Sequence, residues 1–222
     1  MSFLATGGHL VMGIVTADIS TTTDGFGAGP GQCRERPFGD LDEGPLHAWM
    51  FDHAEENRAE VEAIVDAGAF VMGRNMFSPG RGSWDMAWRG WWGEDPPYHA
   101  PVFVLTHHER EPLPMEGGTT FHFVTEGLDV ALDRAREAAG ERNVAIAGGA
   151  STINAALAAE QVDELRWHVV PHVSGLAAAG GHDGSRLFDG VPRTGLAPTA
   201  VRHTPHVTHL TYRRVGAPAG RG

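Results

Sequence analysis

The stretch Asn143-Val144-Ala145-Ile146-Ala147-Gly148-Gly149-Ala150-Ser151-Thr152-Ile153-Asn154 constrains the fold of this chain more than any other. The uncharged run Val144 to Ala147 suits a strand buried on both faces. Gly148 and Gly149 then offer backbone angles closed to other residues, and they carry no side chain to block a ligand. Ser151 or Thr152 is placed to cap a helix over Ile153 to Ala159. The first amides of such a helix have no partner inside it, so a glycine-lined corner of this kind is a seat for a phosphate or another anion. Taken alone, the same residues also describe a plain strand-turn-helix corner.

The rest of the chain repeats the alternation. Leu10 to Ala17 reads as a first, mostly buried strand. Pro45 suits a first helical position, and Leu46, Trp49, Met50, Val61, Ile64 and Val65 fall on one face of a single helix that Gly68 ends. Ala69 to Met72, Pro101 to Leu105, Thr120 to Val124 and Leu165 to Val170 are further strands, and Leu128, Leu132, Ala135 and Ala138 mark a helix closed by Gly140. Strands alternating with helices from Leu46 to Val170 predict a sheet with several parallel neighbours and helices on its faces. Ser174 to Arg186 reads as a loop, and Ala200 to Thr204 and Val207 to Val215 as a terminal hairpin turning near Pro205, antiparallel to its neighbour. Ala217 to Gly222 is expected to be a loose end. With no repeat and no linker, one domain over 1–222 is the economical organisation.

Composition narrows the function classes. The formal net charge of −11 repels nucleic acid and anionic membranes. No run of roughly 18 apolar residues is present, so no membrane span is expected, and Met1 to Val15 lacks the pattern of a secretory signal. Cys33 is the one cysteine, which excludes an internal disulfide and fits the cytoplasm.

Several chemistries are weak on spacing alone. Thirteen histidines invite a metal, but no pair has H-E-x-x-H spacing, and His206 and His209 point to opposite faces of an extended strand. Gly149-Ala150-Ser151-Thr152-Ile153 resembles a G-x-S-x-G elbow but ends in isoleucine, so Ser151 serves better as a cap than as a nucleophile. Gly25-Phe26-Gly27-Ala28-Gly29-Pro30-Gly31 has proline where a dinucleotide loop needs its third glycine, and it is read as a mobile loop able to close over a site. Ser83 to Pro97 holds four of the six tryptophans, including Trp84, and such a segment walls a flat-ring pocket, buries at a subunit contact or fills a core gap. Three features agree. Gly73-Arg74, Thr106-His107 and the Gly148 to Thr152 corner each follow a buried strand, so parallel strands bring them to one rim, where a helix start and basic or hydroxyl groups suit a phosphorylated dinucleotide.

The chain resembles the dihydrofolate reductase-like superfamily, in the branch similar to the C-terminal reductase domain of the riboflavin-biosynthesis deaminase-reductase. The resemblance rests on Thr23-Asp24-Gly25, Val71-Met72-Gly73-Arg74-Asn75-Met76-Phe77, Val104-Leu105-Thr106, Ala147-Gly148-Gly149-Ala150-Ser151, Val162-Asp163-Glu164-Leu165 and Arg186-Leu187-Phe188-Asp189-Gly190, in order and over nearly the whole chain. It implies an α/β three-layer fold: a mixed, mostly parallel central sheet, helices on both faces and a C-terminal antiparallel hairpin. It implies NADPH as hydride donor. Gly148, Gly149, Ala150, Ser151 and Thr152 would hold the pyrophosphate. Gly73, Arg74, Asn75 and Met76 would line the phosphates, and Thr106 with His107 would lie near the adenosine ribose phosphate. Asp24 would lie at the nicotinamide and substrate end. It also implies a homodimer. Met76-Phe77 stands where the branch usually has Thr-Tyr, and no zinc-binding deaminase half is present in these 222 residues. The expected activity is reduction of a small, flat heterocyclic or conjugated substrate, with Phe26 and Trp84 as its lid and wall. A non-catalytic flavin- or pterin-binding protein on the same scaffold is the alternative, and a hydrolase built on Ser151 a third.

Overall fold

The computed structural model describes residues 13–78, 80–176 and 186–217. Its strands are β1 (Val15–Thr21), β2 (Ala69–Gly73), β3 (Pro101–Leu105), β4 (Leu113–Pro114), β5 (Thr120–Val124), β6 (Val144–Ile146), β7 (Glu164–Val169), β8 (Leu196–Thr204) and β9 (Val207–Arg214). They form one sheet in the order β4-β5-β3-β2-β6-β1-β7-β9-β8. The six strands from β5 to β7 in that order run parallel. β4 and β9 are antiparallel to their neighbours, and β8 closes the expected terminal hairpin.

The helices are α1 (Glu43–Phe51), α2 (Arg58–Val65), α3 (Arg74–Phe77), α4 (Leu128–Ala139) and α5 (Ala150–Ala158). On one face of the sheet Val15, Ala17, Val71 and Ile146 pack with Leu132 and Ala135 of α4 and Ile153 and Leu157 of α5. On the other, Phe70, Met72, Val102 and Val104 pack with Phe77 and, at the edge, Trp84 and Trp88. A third cluster joins Leu46 and Trp49 of α1 to Phe26, Leu41 and Val170. Each fully buried leucine, isoleucine or phenylalanine here stabilises the fold by about 1.5–3 kcal/mol.

Three sequence expectations are corrected. The first strand runs on to Thr21 instead of ending at Ala17, because β7 pairs with it as far as Thr21, whereas its pairing with β6 ends at Ala17; Leu10 to Met12 lie outside the described residues. Its residues Thr16, Asp18 and Ser20 alternate with the apolar ones and break the hydrophobic run. The single helix from Pro45 to Gly68 is two helices, α1 capped by Asp42, whose Oδ1 accepts the Gly44 amide at 3.1 Å, and α2 after a break at 52–57. Pro45 therefore sits third in α1, not first. The helix after Gly149 starts at Ala150, and its N-cap is Gly149 with no side-chain cap. Ser151 and Thr152 lie inside the first turn, which leaves more backbone amide open at the corner. Most of the 174–186 loop and of the 217–222 tail fall outside the described residues.

Candidate active site

Because β1, β2, β3, β6 and β7 are parallel, their carboxyl ends share one rim. β6 ends into Gly148, whose φ of 98° favours glycine, and the Gly148–Gly149 peptide is cis. Gly148 O accepts the Gly73 amide at 3.0 Å, which ties this corner to the end of β2. The packing here favours glycine at 73: a Cβ there would stand 2.6 Å from Thr152 Oγ1, which would have to turn away. Space is open around Gly149, where an added Cβ meets nothing within 4 Å. The amides of Thr152 and Ile153 both turn back to Gly149 O, whereas those of Ala150 and Ser151 donate to no acceptor among the described residues. The corner thus presents two free N–H groups at the positive end of a nine-residue helix.

Arg74 follows directly. Its guanidinium lies 3.9 Å from the centre of the Trp84 ring. Its Nε and Nη2 are buried and have no hydrogen-bond partner among the described residues. Burial, then the neighbouring Arg81, disfavour its charge. A desolvated guanidinium without a carboxylate is costly unless an anion arrives from outside. Asn75 is turned aside, Nδ2 donating to Gln32 Oε1 at 2.9 Å, and Met76 is exposed beside Gly148.

Past β3, Thr106 is buried and its Oγ1 accepts the His108 amide at 3.1 Å, so its hydroxyl shapes a turn and leaves His107 and His108 exposed. Trp84 Nε1 donates to His108 O at 2.8 Å. A groove of about 460 Å³ results, lined by Ser83, Trp84, Met86, His107, His108 and Glu109. Trp84 is therefore both groove wall and packing partner of Phe77 and Phe123. Arg110, absent from the sequence reading, pins this segment: its Nη2 donates to Trp88 O at 2.9 Å while Nη1 is buried and unpartnered among the described residues. The position alone carries no signal for it.

At the other end of the rim, both oxygens of Asp24 are held by Ser174, from the amide at 2.9 Å and the hydroxyl at 2.6 Å. Burial would raise its pKa, but these bonds and one from Thr22 bring it down to about 2. Asp24 is thus an anion at neutral pH and has no proton to give. Phe26 is corrected: it is 2 % exposed in the third core cluster, so its ring fills the core and does not face a ligand. The loop after it is also tied down, with Gly29 N bonding Phe38 O and Asp40 N bonding Pro30 O. That loop reaches across the rim, where Gln32 meets Asn75 and the Arg34 guanidinium lies 5.2 Å from the Trp88 ring. Trp91 and Trp92 remain exposed, and Trp92 meets Phe51 of α1 at 6.1 Å.

Comparison with known proteins bears on the fold and the family. Residues 14–210 match the family model described as the RibD C-terminal domain. No curated protein matches the chain. Among solved structures it is similar to a protein from Shewanella sp. PV-4 assigned to riboflavin biosynthesis, at 23% identity over 90% of this chain and 98% of that one, with a TM-score of 0.53. It is similar to the Thermotoga maritima diaminohydroxyphosphoribosylaminopyrimidine deaminase/5-amino-6-(5-phosphoribosylamino)uracil reductase, at 14% identity over 91% of this chain and 57% of that one, with a TM-score of 0.52. A pyrimidine reductase-like protein from Corynebacterium diphtheriae aligns at 14% identity over 91% and 92% of the two chains, with a TM-score of 0.50. The chain spans little more than half of the bifunctional relative.

Proposed function

The chain belongs to the RibD C-terminal domain family, and from that premise we propose that it is an NADPH-dependent reductase of a small, flat heterocyclic or conjugated substrate. The observation that carries the reading is Arg74: a half-buried arginine stacked on Trp84, with two buried, unpartnered nitrogens at the same rim as two free amides. Those groups are chemically matched to a nucleotide bearing several phosphates. Gly148, Gly149, Ala150, Ser151 and Thr152 take the pyrophosphate. Arg74, with His107 on the Trp84 groove, takes the ribose phosphate.

NADPH, when bound, supplies the hydride; the chain's part is to orient the rings and exclude water. Met76 and the indoles of Trp91 and Trp92 give the apolar wall for a flat acceptor. The tied-down loop carrying Gln32 and Arg34 covers the site from one side. Asp24, held ionised by Ser174, orders the β1 and β7 ends of the site and does not protonate the substrate. The same fact favours the alternative, a non-catalytic flavin or pterin binder, which needs no acid. The protein works as a cytoplasmic homodimer in this reading, and the exposed edge strand β8 is available for a contact.

The test is titration of the protein with NADPH and, separately, NADH while following tryptophan emission and energy transfer to the nicotinamide. Quenching at micromolar NADPH, weaker with NADH, is expected; no change at high micromolar NADPH sinks the proposal. A substrate panel then separates the two readings, since a carrier binds ligand without oxidising NADPH.

A further inference from the structure

Beneath α1 and α2 the sheet carries a buried polar chain that the proposed reaction does not use. It begins at Asn57, whose Nδ2 donates to Trp49 O at 3.0 Å and His53 O at 2.9 Å. Its Oδ1 is therefore the acceptor. Arg202 Nη2 donates to it at 3.1 Å, and His209 Nε2 lies 2.9 Å away, so that nitrogen carries a hydrogen. His209 Nδ1 lies 2.8 Å from His168 Nδ1, and a single hydrogen sits between the two. Burial, then His168, push the His209 pKa down to about 4. A neutral His209 with its hydrogen on Nε2 has a lone pair on Nδ1, so the shared hydrogen belongs to His168 Nδ1. The lone pair of neutral His168 is then on Nε2, which is buried, unpartnered among the described residues and 3.8 Å from Asp18 Oδ1. Asp18 Oδ2 is also buried without a partner among them. Two acceptors face one another where one proton would join them.

We propose that Asp18, His168 and His209 form a proton-binding site in which the proton goes to His168 Nε2, making an ion pair with Asp18 that ties β7 to β1 beneath the Trp49 ring of α1. The surroundings fit. From β7, Arg166 is shared between Asp18 at 3.5 Å and Glu164 at 3.1 Å, so Asp18 has no counter-ion to itself. From β9, Arg213 leans on Glu164 at 3.8 Å. From α2 and β8, Glu60 and Arg202 pair at 2.6 Å and neutralise one another. From the α1–α2 turn, His53 stacks on His206 of the hairpin at 3.6 Å, a second imidazole pair outside the first. Trp49 lies 4.7 Å from the His168 ring and 5.0 Å from that of His209. It is pinned by its Nε1 bond to Ser20 Oγ, so a charged His168 sits against its indole as a cation against a π face. A pocket of about 340 Å³, lined in part by Glu60, Arg166, His168, Arg202 and His209, gives protons a way in from solvent.

The deciding measurement is long-range nitrogen-proton NMR of the imidazoles in the full chain, titrated from about pH 9 to about pH 4.5, the span over which histidines change charge. At high pH His209 is expected as the Nε2–H form and His168 as the Nδ1–H form; on acidification His168 gains its second hydrogen while His209 stays neutral. Charging of His209 first, an Nε2–H form of His168 at high pH, or two neutral rings at the acid end would each overturn the assignment. A second measurement uses the acid-dependent part of the emission that Trp49→Phe removes. Asp18→Asn, checked for native circular dichroism, should move its midpoint down by about one pH unit or more, the usual effect of losing an adjacent carboxylate. An unmoved midpoint refutes the ion pair.

Discussion

The two halves of the sheet treat arginine in opposite ways. Around β7, β8 and β9, Arg166 is bonded to Glu164 and Arg202 to Glu60 and Asn57. Around β2 and β3, Arg74 and Arg110 have no carboxylate in contact among the described residues; they lie against Trp84, Phe77 and Phe123, and each keeps a buried nitrogen without a partner. Carboxylates are nearby, with Glu109 lining the groove and Asp85 close enough to favour the charge of Arg110, but none pairs with either guanidinium among the described residues. An arginine whose charge is satisfied internally holds the fold together. One that is desolvated and unsatisfied is poised for an anion that the protein does not itself supply.

That contrast breaks first at the glycine corner. Gly149→Leu places a side chain where nothing now lies within 4 Å of the Cβ, so folding should be undisturbed. The same side chain covers the free amides of Ala150 and Ser151, and NADPH affinity should fall by roughly 100-fold or more, the loss of two charge-assisted bonds. Calorimetric titration beside a thermal melt checks both halves, and retained affinity removes the anion seat. Arg74→Met comes next. It should cost about 10- to 100-fold in NADPH affinity, and less in NADH affinity, while leaving the melting temperature unchanged or higher, since two buried unpartnered nitrogens are removed. Equal losses for the two cofactors would detach Arg74 from the ribose phosphate.

What the sequence reveals follows the same division. β3, β5 and α4 match their sequence reading closely because their apolar periodicity is uninterrupted. The rim residues Gly73, Arg74, Gly148 and Gly149 are readable because each follows such a strand at once. The extent of β1 is not, because it turns Thr16, Asp18 and Ser20 toward a polar interior, which looks like a loop to any hydrophobic pattern. The α1–α2 break hides for a related reason: buried Asn57 holds it through Trp49 O and His53 O, bonds no local propensity reveals. Ser174, Arg110 and Gln32 escape a sequence reading because they act on groups between 22 and 150 residues away. Phe26 misleads because glycines on both sides suggest a free loop, whereas its ring has a core cluster to fill.

Ser174→Ala tests whether Asp24 belongs with the satisfied or the open groups. Asp24 titrates at about 2 against an ordinary 3.8. A depressed carboxyl stabilises the folded state fully above the ordinary value, and that stabilisation drains away as pH falls from about 3.8 toward about 2. Removing the hydroxyl should cost about 1–2 kcal/mol at pH 7 and flatten the acid limb of the stability curve in that window. A denaturant series at several pH values reads both; an unchanged limb means that Ser174 does not hold the carboxylate in solution.

The smallest effect should come from the satisfied side. Arg202→Met removes a pair with Glu60 and a bond to Asn57 Oδ1; Glu60 is 18% exposed, but the arginine side chain is 42% exposed and solvent already screens much of the pair, so the cost should be about 1 kcal/mol. Burial works to raise the Glu60 pKa, and the Arg202 bonds lower it below 4.5. Its contribution is therefore present above pH 4.5 and is lost as pH falls through the folded value, and in the variant that acid-sensitive increment should shrink. NADPH affinity should not move. If it drops as far as it does in Arg74→Met, the division between structural and ligand-facing arginines is wrong, and binding depends on the whole sheet being charged as it is rather than on one corner left open.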